Sequence, residues 1–118
     1  RYSISVIPTK KVILGVPAYG YDWGPDGGNA YGGRTMVRRL EKAGAHIQWD
    51  PVMGENVATY GGESGPRTAW FPDDRSLQVK LDLAGKYNLK GVALWRLGFE
   101  PENYWEPMAA LRQDQKPN

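Results

Sequence analysis

The sequence predicts an α/β fold: one strand–helix–strand unit whose first connection carries an α+β module. Two segments, "KVILGVPAYG" (Lys11–Gly20) and "GVALWRLG" (Gly91–Gly98), are continuous apolar runs bounded by glycine and proline. Such runs suit strands of a parallel sheet with both faces covered. Between them, "DDRSLQVKLDLAGKYNL" spaces Leu77, Leu81 and Ala84 along one face of a helix. Strand, helix, strand in that order reads as a βαβ crossover. The third observation is the segment from Tyr21 to Trp70, which is far too long for a plain connection.

Taken in order, Arg1–Ile7 reads as the tail of a preceding helix. A chain that opens on Arg1 without a methionine reads as a piece of something longer. Lys11–Gly20 is the first strand. The turn-rich "GPDGGNAYGG" (Gly24–Gly33) then predicts irregular structure. A short helix over Thr35–Ala43 is stopped by Gly44. "HIQWD", "NVATY" and "RTAWF" are short β-prone runs separated by Gly, Pro and Asn, which predicts a small antiparallel sheet. Asp73 or Asp74 is placed to cap the next helix, and Asn88 suits its left-handed exit. Tyr104–Gln113 reads as a terminal helix. The expected division is 1–20 with 71–118 for the strand–helix–strand unit, and 21–70 for the insertion.

At 118 residues the chain is about one domain long and can bury a modest core. Its 41% hydrophobic and 24% charged residues are ordinary for a globular protein, which excludes a disordered or fibrous class. The absence of cysteine removes disulfides, thiolate zinc sites and cysteine nucleophiles. Net charge is only +2 and the basic residues are scattered, Lys10-Lys11 and Arg38-Arg39 being the densest pairs. Neither a nucleic-acid stripe nor a membrane-binding face is therefore expected, and no apolar run approaches the roughly 20 residues that span a bilayer. Five tryptophans and seven tyrosines against two phenylalanines favour half-wet surfaces, sugar-binding clefts among them.

Three signals carry no chemistry. "GNAYGGRT" (Gly28–Thr35) differs from a phosphate-binding P-loop by Arg34 in place of lysine. It also follows a polar, glycine-rich loop where a buried strand is required. His46 is the only histidine, so neither a metal cluster nor a serine–histidine pair can be built on a second one. It reads as a structural residue at a strand start. Asp73 and Asp74 are adjacent at a helix start and cannot face each other across a substrate; capping explains them. No metal site and no cofactor is expected.

These motifs, in this order, resemble the C-terminal portion of a family 18 glycoside hydrolase, the chitinase-like (β/α)8 TIM barrels. "KVILGVPAYGYDW" is similar to the family's seventh barrel strand and the loop leaving it. Tyr21–Trp70 sits where many members carry an insertion that walls the cleft. "WFPDDRSLQVKLDLAGKYNLKGVALWRLGFE" resembles the return through helix seven into strand eight, and "NYWEPM" the opening of the last helix. "YGYDW", "HIQWD" and "WRLG" are closest in flavour to the spore and cell-wall group. The resemblance implies the last two strands and helices of the barrel plus the α+β insertion. It also implies a polymer of β-1,4-linked N-acetylglucosamine, chitin or peptidoglycan, as partner. The setting it implies for the parent protein is extracellular, in the cell wall or on the spore.

The resemblance also assigns roles. Trp95, ending the eighth strand, would form the floor under the sugar at the cleavage point, a stacking contact worth ~1–3 kcal/mol. Tyr19 would end the preceding strand at the same face. Tyr21, Asp22 and Trp23 would begin the loop beside it, offering hydrogen bonds or a second platform. Arg96, turned away from Trp95, is expected in an ion pair outside the barrel. The family's acid run, D-x-x-D-x-D-x-E, does not occur in this sequence. No catalytic residue is therefore expected in this chain, and alone it is expected to be inactive. A non-catalytic carbohydrate-binding relative is the alternative, distinguished by whether a glutamate ends an upstream aspartate run. A third reading is a structural piece without ligand affinity. Two barrel strands without neighbours are expected to self-associate.

Overall fold

The computed structural model describes residues 1–114, which form two units with separate apolar cores. The last four residues of the 71–118 expectation lie outside the described residues. A short helix α1 (Tyr2–Val6) and a 3-10 turn (Thr9–Lys11) lead into β1 (Ile13–Pro17). β1 pairs in parallel with β7 (Gly91–Trp95), Val16 opposite Leu94 and Pro17 opposite Trp95. Helix α3 (Asp74–Lys86) is the crossover that returns the chain to β7. Its Leu77 and Leu81 share a core with Val16, Ala18 and Tyr104, flanked by Leu14, Val92 and Leu94. Asp73 opens α3 with a reciprocal cap. Its carboxylate accepts from the Ser76 amide at 2.8 Å while its own amide donates to the Ser76 hydroxyl at 2.8 Å. Asn88 makes the left-handed exit at φ +50 and accepts from Lys10 Nζ at 2.6 Å. Helix α4 (Trp105–Asp114) closes the described chain. No helix among the described residues is long and apolar enough to cross a membrane.

Alternation along β1 and β7 turns Leu14, Val16, Val92 and Leu94 to the helices, and Ile13, Gly15, Ala93 and Trp95 away from them. The apolar runs predict cover on both faces; the described residues cover one. They supply a single helix layer, so Ile13 remains 53% and Trp95 68% exposed.

The second unit is a five-stranded antiparallel sheet in the order β3-β2-β6-β5-β4. Its strands are β2 (Tyr19–Gly24), β3 (Gly27–Gly32), β4 (His46–Asp50), β5 (Glu55–Gly62) and β6 (Gly65–Phe71). Helix α2 (Gly33–Lys42) lies on one face, where Met36 and Leu40 pack against Ala58, Ala69 and Phe71. Gly44, at φ +61, follows its end.

Two sequence expectations need correcting. Lys11–Gly20 is not one strand: β1 stops at Pro17, which has no N–H with which to continue a ladder. Ala18 is the switch. Its amide donates to the Trp95 carbonyl at 2.7 Å, and its carbonyl accepts from the Gly33 amide at 2.9 Å. Tyr19 then enters the other sheet. Nor is "GPDGGNAYGG" irregular, because β2 and β3 form a hairpin paired from Tyr19–Gly32 to Gly24–Gly27. Gly27 supplies the turn at φ +108. Gly28 faces Trp23 across the pair, and a Cβ there would collide with the indole. These glycines make room for a ring and a turn.

Candidate functional site

Period-two alternation along β2 sends Tyr19, Tyr21 and Trp23 to the sheet face opposite α2. The three rings form a row. Tyr21 and Trp23 stack with centroids 5.2 Å apart and planes inclined by 17°, and Tyr19 meets Tyr21 edge-on at 6.2 Å. Trp70 of β6 stands directly opposite Tyr21 in the ladder and shares this face. Tyr21 is 40% and Trp23 53% exposed, so ring faces remain available. A cavity of about 200 Å³ lies where the row meets the barrel strands, lined by Pro17, Tyr19, Tyr21, Trp70, Pro72 and Glu55. Glu55 pairs with Lys80 and so ties β5 to α3.

Trp95 stands at the C-terminal end of β7, its carbonyl bonded to the switch residue Ala18. It makes no ring contact with Tyr19, Tyr21 or Trp23 among the described residues. The Trp95–Arg96 peptide bond is cis. Arg96 is not in the expected ion pair. Its guanidinium lies 4.4 Å from the centre of the Phe99 ring, because the Phe99 amide donates to the Arg96 carbonyl and turns the chain back on itself.

Tyr21, Asp22 and Trp23 do not begin a loop; they lie within β2, and this changes the role of Asp22. Asp22 faces the α2 side, where it is buried, and it lines no cleft edge. One carboxylate oxygen accepts from the Tyr60 hydroxyl, the other from Arg67 Nε at 3.0 Å. Arg67 also pairs with Asp26. Burial, then the Asp22 hydrogen bond, pushes the Tyr60 hydroxyl above its ordinary pKa. Hydrogen bonding to Arg67 holds Asp26 below the ordinary carboxylate value. His46 is exposed on β4, with Nε2 2.7 Å from the Gln48 amide nitrogen. In the P-loop-like stretch, Gly28–Gly32 is strand, and the Gly33 amide is occupied by the Ala18 and Phe99 carbonyls.

Sequence reasoning missed Trp70. The signal was there: "RTAWF" alternates, and an antiparallel partner of β2 puts every second residue beside Tyr19, Tyr21 and Trp23.

The model of the glycosyl hydrolases family 18 matches residues 1–100. The cortical fragment-lytic enzyme of Bacillus subtilis is 30% identical over 112 residues, covering 88% of this chain and 26% of that protein. The crystal structure of a chitinase from Chromobacterium violaceum superposes with a TM-score of 0.83 at 29% identity, over 99% of this chain and 37% of that one. The spore cortex-lytic enzyme SleL of Bacillus megaterium gives 0.79 at 31% identity, over 98% and 28%. The chain thus spans between 26% and 37% of the length of these relatives. The parallel β1–β7 pair with its crossover helix is accordingly part of a TIM barrel. The family match takes in the barrel strands, the inserted sheet and the switch between them, and the chain belongs to the glycosyl hydrolases family 18.

Proposed function

We propose that this chain forms part of the substrate cleft of a glycosidase acting on β-1,4-linked N-acetylglucosamine polymers, chitin or peptidoglycan. Relatives named for chitin and for spore cortex support that substrate class. The observation that carries the reading is the exposed row Tyr19–Tyr21–Trp23, with Trp70 beside it, next to a barrel strand that ends in Trp95. Tyrosine and tryptophan rings cover the apolar face of a pyranose, and their polar tips reach its hydroxyls. In this class of barrel the active site lies at the C-terminal strand ends, where Trp95 stands. The 21–70 module would act as the wall of the groove and Trp95 as its floor. The 118 residues hold no D-x-x-D-x-D-x-E run, so protonation of the leaving oxygen falls to residues outside this chain. Its own share is binding and orientation.

Titration calorimetry with N-acetylglucosamine tetramer tests this on the 118-residue chain, Trp95→Ala and Trp23→Ala. The parent should bind, and each variant should weaken binding about tenfold or more, the loss of one stacking platform. No heat from the parent, or equal affinity in all three, would remove the cleft reading.

A further inference from the structure

The structure assigns a second carbohydrate-binding site to the opposite face of the same sheet: a polar cavity beside α2 that takes a sugar by its hydroxyl edge. The cavity measures about 430 Å³, within the usual range for small-ligand sites. It opens between the β2–β3 turn and the β5–β6 turn, with Arg39 of α2 at its side.

Its floor is preorganised. The buried Asp22 carboxylate holds Tyr60 and Arg67, and Arg67 holds Asp26. This network belongs to the folded sheet, so a ligand need not order it. Several groups above the floor remain open. Arg39 sits over Tyr31, its guanidinium carbon 4.2 Å from the ring centre, and comes no nearer than 3.9 Å to Asp22, beyond hydrogen-bond reach. Besides that long ion pair it neighbours the Tyr60 hydroxyl, and its side chain is partly exposed at the cavity side. The Asn29 amide and the Ser64 hydroxyl complete a rim that both donates and accepts.

Charge and shape select the ligand. Among the lining residues Asp26 and Glu63 balance Arg39 and Arg67, and the buried Asp22 lies beneath them, so an anion gains little here. Planar groups that donate beside groups that accept match neighbouring hydroxyls, each of which does both. Because Arg39 already covers the Tyr31 ring, the ligand meets edges of polar groups instead of an aromatic face. Asp22 and Trp23 are adjacent in β2 and face opposite ways, so one sheet stacks sugar on one side and hydrogen-bonds it on the other. Choosing a sugar as ligand rests on the proposed function; the separate location of the site does not.

The test is a nuclear magnetic resonance titration of the isotope-labelled chain with N-acetylglucosamine tetramer. It follows the indole N–H signals of Trp23 and Trp95 together with the Arg39 Nε–H and the Asn29 side-chain amide. Two sets of shifts with separate saturation curves are expected. Ser64→Ala combined with Asn29→Ala, both at exposed positions, should weaken the Arg39 response about tenfold and leave the indoles unchanged. If only the indoles move, the second site is refuted and the cleft reading stands. If only the α2 face responds, the second site stands and the cleft reading fails. An Arg39 signal that moves with acetate and not with the tetramer would make the cavity an anion site and overturn the proposal.

Discussion

Asp22 shows how one residue step decides a role. Its neighbours Tyr21 and Trp23 meet solvent, while Asp22 is buried against Tyr60 and Arg67. Removing a buried carboxylate leaves Tyr60 without its acceptor and Arg67 with the exposed Asp26 alone. Asp22→Ala should therefore cost about 3 kcal/mol, whereas truncating the exposed Asp26 should cost far less. Urea unfolding of the two variants compares them directly, and equal losses would contradict the burial argument. Tyr104 makes a pH-dependent contribution. It is fully buried and its hydroxyl donates to the Pro17 carbonyl, joining the last helix to the end of β1. Burial pushes its pKa well above the ordinary 10.0. A raised folded-state pKa means that its stabilisation is intact below pH 10 and declines as pH rises further, because the unfolded chain releases the proton first. Tyr104→Phe should lose about 1 kcal/mol at neutral pH and show a shallower alkaline decline, the remainder coming from Tyr60. Identical alkaline slopes in denaturant unfolding would assign that decline elsewhere. Trp95 was legible at its strand end because ring type and the end of an apolar run are local facts. Tyr19, Tyr21 and Trp23 were legible as rings but not in position, since they lie within β2. Asp22 and Trp70 were not legible, since their facing depends on Tyr19–Gly24 being a strand paired with β6.

At the scale of elements, α3 and the β2–β3 hairpin mark the two ends of what a sequence discloses. Every signal for α3 lies within its own span. Leu77, Leu81 and Ala84 recur at helical spacing, Asp73 caps the start, and Asn88 turns left-handed after the end. Asp73→Ala breaks the reciprocal bond with Ser76 and should cost about 1 kcal/mol, lowering the melting temperature by about 4 °C. An unchanged calorimetric midpoint would mean that packing alone holds the first turn. β4, β5 and β6 were equally legible, as β-branched and aromatic runs between turn residues. The hairpin was hidden because its glycines answer to partners across the pair. Gly28 yields space to the Trp23 indole, and only the folded register reveals that neighbour. β1 was misjudged at its end for a similar reason. Pro17 within the run marks the stop, but the ladder passes from β7 to a different sheet at Ala18, a handover fixed by the Trp95 carbonyl and the Gly33 amide, both outside the run.

The whole molecule is long for its mass, at 55 × 30 × 24 Å with a radius of gyration of 16.2 Å; a compact chain of this length would give about 13.5 Å. It exposes 8161 Å², where a compact monomer of its mass would expose about 6,400 Å². Two modules set end to end account for part of that difference. The composition of the rest is informative. Ile13, Trp95 and Leu97 are all more than half exposed on or beside the β1–β7 pair, whose apolar sequence is that of a strand covered on both faces. An ordinary protein interface removes about 800 Å² from each partner, roughly half of the excess of about 1,700 Å². Each barrel strand also has a single strand partner among the described residues, leaving an unpaired edge beside the bare face. Both features favour a second copy of the chain when no other cover is present. Sedimentation velocity of the 118-residue chain should therefore show a concentration-dependent species heavier than the 13.2 kDa monomer. Ile13→Lys places a charge on the bare face, at the start of β1, and should return it to monomer, while the α2 side of the inserted sheet is untouched. A compact monomer at all concentrations, cooperative in unfolding and indifferent to Ile13→Lys, would show that this face tolerates water without a partner.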